Sequence, residues 1–537
     1  MAIAAAVIAE SLRDVTVCPY VERTPWRAAS APTLAGTRAD KRLPTSRRGT
    51  DVPPFVGSIL FFVAAMHRCG RSACHDDRVE KTDDAAQELN KARTTRPTSD
   101  EFKKFLASGW AEPEDVNTTA VAGAPFAAAR RARLSAQFPG VRIVVPAGDL
   151  KVRSNDTDYR FRPHSDFAYL TGLGLDFEPG AVLVMTPRDA AGHDAVLHLI
   201  PPAGSDNEGF YSDPRSGEFW IGRRPGLAEF EAMTGIPTAP LKELPGGIRL
   251  SNHPTKAVHR ALAEMRFVKD EYEIQQMRDA VDATIEGFAR AVTVLPRAIE
   301  HKRGERVVEA AFDGHAREEG NAVGYETIAA SGDHATTLHW IRNDGQVRSG
   351  ELLLLDAGVE VDSLYTADIT RTLPVDGAFS PVQRRVYEVV LEAADAGFAV
   401  ARPGAKFLDV HMAAMEVIEK RLTEWGIVPD AEDPEAKLYR RWMVHSTSHH
   451  LGQDVHDCAS ANRDLYMEGT LEPGMVFTIE PGLYFKAGDM TVPAELRGIG
   501  IRIEDDVLVT EDGYENLSVA LPRDPDAVEA WMARLRG

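Results

Sequence analysis

Residues 351–358 read ELLLLDAG. Four consecutive leucines between a charged residue and a glycine make a short buried strand rather than a helix, and Asp356 closes it. The next strand begins near Tyr365 and reads YTADITRTLPV, where Asp368, Thr370 and Thr372 alternate with Ile369, Arg371 and Leu373. That alternation is the period of a half-buried strand. An antiparallel hairpin between the two runs brings the Asp356 and Asp368 carboxylates to one point.

Three segments further along carry matching groups. His445–Asp457 reads HSTSHHLGQDVHD, with histidines at 445, 449, 450 and 456. In PGMVFTIEPGLY, Thr478 and Glu480 share one strand face and Phe477 and Ile479 the other. In GIGIRIEDDVLV, Ile499, Ile501 and Ile503 face one side, so Arg502 and Glu504 project together on the opposite side. Taken singly, each has an ordinary reading: a strand-ending Asp in a turn, a solvated Glu before Pro-Gly, surface histidines. Taken together, Asp356, Asp368, His449, Glu480 and Glu504 make a cluster that needs something positive to hold it. A pair of divalent ions is the simplest candidate, and ions that acidify a shared water do hydrolytic chemistry. Four carboxylates and one nitrogen favour hard divalent ions over a thiolate-type zinc site.

The order and spacing of these segments resemble the metallopeptidases of the pita-bread fold, and within them Xaa-Pro aminopeptidase (aminopeptidase P). The matching stretches are YETIAASGDHATTLHW (Tyr325–Trp340), LLLDAG, DITRTLPV, HSTSHHLGQDVHD, LEPGMVFTIEPGLY and GIGIRIEDD. Upstream, RSNDTDYRFRPHSDFAYLTGL (Arg153–Leu173) and FWIGRRPG (Phe219–Gly226) resemble the amino-terminal domain of the same family, which methionine aminopeptidases lack. The resemblance spans roughly residues 100–525. It departs from the family where HSTSHHLG replaces the commoner HGLSHWLG, which sets two histidines side by side. Ser448 before and Leu451-Gly452 after fix the register on His449. The Asp356–Asp368 spacing is one residue longer than in relatives, and the extra residue belongs in the turn at Val361–Leu364.

The resemblance implies an α/β chain: an extension over residues 1–95, an amino-terminal α/β domain over 96–266, and a pita-bread catalytic domain with a curved antiparallel sheet over 267–537. It implies that Asp356 binds one metal and His449 the other, with Asp368 and Glu504 bridging and Glu480 completing the site. It casts Glu480 as the proton carrier, and His339 and His456 as partners of the developing oxyanion. His445, Tyr484 and Arg502 are the substrate pocket, and the segments around Asp156 and Trp220 wall the cleft beyond it. The expected ions are two Mn2+, with Co2+ or Zn2+ able to substitute. The expected substrates are peptides with a free amino terminus and proline second. The resemblance also suggests a homo-oligomer, a tetramer or dimer. Prolidase, acting on Xaa-Pro dipeptides with the same ligands, is the alternative. Creatinase-like hydrolysis and pita-bread binding modules are remoter, because those relatives lose ligands that are intact here.

Composition agrees with a cytoplasmic enzyme. A chain of 537 residues has ample core, and its net charge of -20 argues against nucleic acid as a partner. The four cysteines, at 18, 69, 74 and 458, form no disulfide framework, and Cys69, Cys74 and His75 lack the remaining ligands of a metal knuckle. HExxH, a P-loop and a dinucleotide-binding glycine pattern are absent. Residues 1–50 hold eight Lys+Arg against four Asp+Glu, opposite in sign to the rest, and are rich in small and breaker residues. The apolar run 55–66 is too short to span a bilayer, and MAIAAAVIAES lacks the positive start of a secretory signal. The expectation is an extension without a packed fold, such as an unused upstream start codon would add.

Overall fold

A computed structural model describes residues 99–111, 119–155, 157–175, 179–189, 192–248 and 254–536. All of these belong to one compact unit, Glu80–Gly537. The expected extension, Cys18, Cys69, Cys74, His75 and Asp156 lie outside the described residues.

The amino-terminal part is built on a four-stranded sheet: Ile143–Pro146, Val182–Asp189, Gly192–Leu199 and Thr238–Pro240, in that order. The first three strands are antiparallel neighbours and the last is parallel to the third. Helices Ala124–Gln137, Ser165–Thr171, Leu227–Thr234 and Lys256–Met265 bury Leu134, Phe167, Phe230 and Leu262 together with Val145, Leu183 and Leu197 from the sheet.

The stretch Ala257–Val294 reads as helical, with Ile274, Met277, Ala280 and Val281 at helical spacing and the domain boundary near Phe267, and the structure has two helices, Lys256–Met265 and Glu271–Thr293, parted there. The break is chemical. Asp270 caps the second helix by accepting from the Glu273 amide, and Glu273 returns a bond to the Asp270 amide. Between the helices, Val268 bridges to Met475 and the Lys269 amide donates to the Gly474 carbonyl at 2.9 Å. The linker is thus pinned to the distal sheet.

The carboxy-terminal part places helices Glu271–Thr293, Gly304–Glu319, Pro381–Val400 and Phe407–Glu424 around antiparallel strands. Leu352–Ala357 is the middle strand of three, between Ile328–Ser331 and Ile369–Pro374. Val476–Ile479 pairs with Asp505–Val509, and Gly482–Phe485 with Ile499–Arg502. A bridge between Thr370 and Glu504 joins the first of these groups to the segment linking the other two. Leu352, Leu353, Leu354 and Leu355 are buried on both faces, which is why the run is continuously apolar rather than alternating. The turn between the aspartates uses Leu364 at φ 71, a left-handed conformation in a residue that seldom adopts it.

Candidate active site

The strand register sets the site. Asp356 pairs opposite Thr370, so Asp368 stands just before the paired strand begins and both carboxylates reach the same end of the sheet. Glu480 follows the last residue of Val476–Ile479, and Glu504 lies between Ile499–Arg502 and Asp505–Val509. His449 is held from two sides: its amide donates to Thr478 Oγ1 at 3.1 Å, and its carbonyl accepts from the Thr478 amide at 2.9 Å. All five side chains line one cavity of about 630 Å³, together with Tyr325, His339, His445, His456 and Arg502.

His449 Nδ1 faces the His450 carbonyl at 3.2 Å, so its Nε2 is the nitrogen turned to the acids. Nε2 lies 3.2 Å from Asp368, 3.8 Å from Glu480 and 3.9 Å from Glu504. Ligand atoms of Asp368, His449 and Glu504 all fall within 4.8 Å of one another. Burial pushes Glu480 up to about 8, with Asp368 and Asp356 adding to the rise against His449 and Arg502. Burial and the neighbouring acids drive Glu504 well above the ordinary carboxylate range. For His449, burial opposes the charge, yet the hydrogen bond to Asp368 and the charge of Glu480 raise it to about 9. The residues therefore fit divalent cations: hard oxygen donors, one imidazole fixed by a backbone carbonyl, and buried negative charge that added positive charge relieves.

Arg502 crosses one wall. It donates to Thr370 Oγ1 at 3.1 Å and to Tyr484 Oη at 3.0 Å, and it pairs with Asp356. Tyr484 Oη sits 2.8 Å from His445 Nε2, and His445 Nδ1 sits 2.6 Å from the Ser446 carbonyl. The consistent proton arrangement runs one way: Arg502 N–H to Tyr484, Tyr484 O–H to His445, His445 N–H to Ser446. Burial, then the Arg502 charge, holds His445 down at about 3, so it stays neutral. His456 packs edge-on to His449 at 4.5 Å between ring centres, and burial lowers its pKa.

Of the described sequence-selected groups, Trp220 is not brought to the cavity, and Tyr484 stands behind its wall against His445 and Arg502. Asp156 is outside the described residues. Trp220 is 59% exposed on the short helix Glu218–Ile221 and donates its indole N–H to the Tyr211 carbonyl, away from the lining residues. His450 is also outside the lining. Its ring stacks on Phe407 at 4.4 Å and meets Phe267 and Tyr466 edge-on. The slot beside His449 is an aromatic box, which explains why a flat ring of another kind also suits it.

Sequence reasoning passed over three groups. Tyr325 Oη lies 2.7 Å from Asp356 and 2.5 Å from Asp368, sharing its single hydrogen between them. Thr370 donates to Glu504 at 2.6 Å, fixing that carboxylate. Glu305 is fully buried and accepts from the Ser331 amide, His334 Nδ1, Trp340 Nε1 and the Gly345 amide at 2.6–2.9 Å. Those four donors bracket the segment that carries Leu338, His339 and Ile341 to the cavity. Tyr325 opens the stretch YETIAASG, so its signal was present in the sequence; Glu305 sits in an ordinary amphipathic helix and gave none.

Residues 275–511 match metallopeptidase family M24, and residues 127–257 match the amino-terminal domain of aminopeptidase P. Xaa-Pro aminopeptidase 1 of Streptomyces coelicolor is 50% identical over 464 residues, covering 82% of this chain and 93% of that protein. The Escherichia coli Xaa-Pro aminopeptidase is 33% identical, covering 76% of this chain and 98% of its own length. Among solved structures, an E. coli aminopeptidase P in complex with substrate superposes with a TM-score of 0.66 at 30% identity, covering 76% of this chain and 98% of that one. A zinc-substituted E. coli aminopeptidase P in complex with product gives a TM-score of 0.66 at 29% identity, covering 79% and 100%. Fold and site thus define a metalloaminopeptidase that uses divalent metal. The chain belongs to the M24 metallopeptidases, and within them to the Xaa-Pro aminopeptidases. Among the described residues, no helix is long and apolar enough to cross a membrane.

Proposed function

We propose that this enzyme removes the amino-terminal residue from peptides whose second residue is proline, using two divalent ions, with Mn2+ the native pair. The observation that carries the reading is the convergence of Asp356, Asp368, His449, Glu480 and Glu504 on one cavity. These five residues would hold the ions, with ligand atoms of Asp368, His449 and Glu504 within 4.8 Å of one another. When bound, the ions would acidify water and polarise the scissile carbonyl.

The chain's own groups do the rest. Glu480, which lines the cavity beside His449, is suited to take the proton of the attacking water and deliver it to the proline nitrogen. His339 and His456 line the same cavity, where their ring N–H groups can meet the developing oxyanion. The Arg502–Tyr484–His445 chain presents a rigid wall with a neutral imidazole, suited to a proline ring that has no amide proton and a fixed φ. Manganese is favoured by the oxygen-rich donors.

The test is a side-by-side assay of Xaa-Pro-Yaa, Xaa-Pro and Xaa-Ala-Yaa peptides, each with and without added Mn2+. The tripeptide is expected to exceed the dipeptide in kcat/KM by about tenfold, roughly 1.4 kcal/mol of transition-state binding. The alanine analogue should react far more slowly. A better rate on the dipeptide makes the enzyme a prolidase instead.

A further inference from the structure

A second cavity of about 630 Å³ opens between the carboxy-terminal end of helix Glu271–Thr293, helix Leu295–Glu300 and one side of helix Gly304–Glu319. It shares no lining residue with the catalytic cavity. Small side chains make the trough. Ala310, Ala311 and Gly314 lie on successive turns, and a Cβ at Gly314 would meet nothing within 4 Å.

The rim is cationic in a chain of net charge -20. Arg290, Arg297, Arg303 and Arg306 face one carboxylate, Glu318, and Arg290 already pairs with it at 2.5 Å. Arg297 and Arg303 have no ion-pair partner among the described residues. Arg306 gives two hydrogen bonds to the Arg342 carbonyl, and Glu309 offsets part of its charge. In the wall lies His315, fully buried, with Nε2 2.7 Å from the Ala283 carbonyl and Nδ1 without any partner. Nε2 therefore carries the hydrogen, and Nδ1 is a buried acceptor left unmet.

We infer that this cavity binds a small organic phosphate. The volume suits a small molecule. Guanidinium forks match phosphate oxygens in pairs. The small-residue trough takes the carbon skeleton. His315, Glu318 and Glu319 could in isolation be read as a cation site. Arg290 on Glu318 and the neighbouring arginines oppose that reading.

The experiment titrates glycerol 2-phosphate into the full-length, metal-loaded enzyme by calorimetry, with thermal melting in parallel. Saturable binding of one molecule per chain is expected, with a rise in melting temperature that sodium chloride at equal ionic strength does not reproduce. The double variant Arg297→Glu/Arg303→Glu should weaken binding at least tenfold while hydrolysis of a proline tripeptide stays unchanged. Gly314→Leu, which fills the trough without altering charge, should weaken it as well. Absence of saturable binding would overturn the inference. So would equal binding in both variants, which places the phosphate at the metal centre, or loss in the charge variant alone, which reduces the effect to surface charge.

Discussion

Two buried acidic clusters lie close together in this fold and have opposite electrostatics. In the catalytic cavity, Asp356, Asp368, Glu480 and Glu504 have Arg502 and His449 as charged partners among the described residues, and Glu480 also lies 3.5 Å from the neutral His445. At the junction with the amino-terminal part, Asp166, Asp454 and Asp457 face Arg266, Lys269 and His259. Arg266 lies 3.1 Å from Asp457 and 3.2 Å from Asp454; Lys269 lies 3.2 Å from Asp457; His259 lies 2.5 Å from Asp166. Apart from the half-exposed Asp454, the carboxyls are buried to similar degrees, with Asp368 5% and Glu504 2% exposed against Asp166 4% and Asp457 1%. Their proton affinities diverge nonetheless. Burial dominates in the cavity and lifts Glu480 and Glu504. At the junction burial also works against ionisation, but Arg266 and Lys269 hold Asp457 below the ordinary carboxylate range. A cluster that supplies its own cations is structural. One that lacks them is ready for cations from solution. The junction cluster also anchors the segment on which His456 sits, so the self-compensated site holds part of the catalytic one in place.

The largest expected effect tests the under-compensated cluster. Glu504→Ala removes a carboxylate that the other ligands surround. It should lower kcat/KM at least about a thousandfold, roughly 4 kcal/mol of transition-state stabilisation. Circular dichroism should show the fold kept, and metal analysis should show fewer ions per chain. Near-normal activity with two ions retained would end the five-ligand assignment.

The same operation on the compensated cluster should cost stability. Lys269→Met leaves Asp457 with Arg266 alone in a buried setting, and loss of one partner of such a pair costs about 3–5 kcal/mol. Urea unfolding of the metal-loaded protein reads this directly. A change below about 1 kcal/mol would mean that the junction is no better compensated than an exposed ion pair.

A smaller effect is the pH dependence of the metal-free enzyme. Glu480 rises from 4.5 to about 8 and His449 from 6.5 to about 9, so the folded chain holds protons that the unfolded chain has released. Their contribution to stability is present at acid pH and is lost as pH climbs through about 8 and then about 9. Melting temperature without metal should therefore fall as pH rises from the free values of 4.5 and 6.5 up to the folded values of about 8 and about 9, and saturating Mn2+ should flatten the fall. A metal-free protein whose melting temperature rises toward pH 9 contradicts the assignment.

The smallest effect separates two adjacent residues. His449→Ala should lose metal. His450→Phe should keep metal and activity and shift stability by no more than about 1 kcal/mol, because neither His450 ring nitrogen has a hydrogen-bond partner to lose. Burial, and then the Lys269 charge, already hold that ring neutral, at about 3. Metal loss in the second variant rather than the first would move the register by one.

Much of this was legible in the chain. Period-two alternation placed Thr370, Thr478 and Arg502 on the faces they occupy, since a strand leaves each side chain only two directions. The leucine run marked a central strand for the same reason. The helical stretch Ala257–Val294 gave no sign, in contrast, of what holds its break at Phe267–Lys269, which is the Lys269 hydrogen bond to Gly474 and the Val268 bridge to Met475. A partner two hundred residues away leaves no local trace. Trp220 fell in a block that resembles the family, yet the fold sets it on the surface rather than at the cavity.

By itself, the sequence singled out the five acidic and imidazole side chains that the fold brings to one cavity, because donor type and strand face are local properties of a residue and its neighbours. Only the tertiary structure decided which buried acids go uncompensated. Glu504 and Asp457 are both buried carboxyls, and neither local stretch shows which of them has cationic partners. The difference is made by Arg266 and Lys269, which lie almost two hundred residues before Asp457 and reach it because the linker folds back against the distal sheet. Electrostatic compensation depends on distance in space, and distance along the chain does not report it.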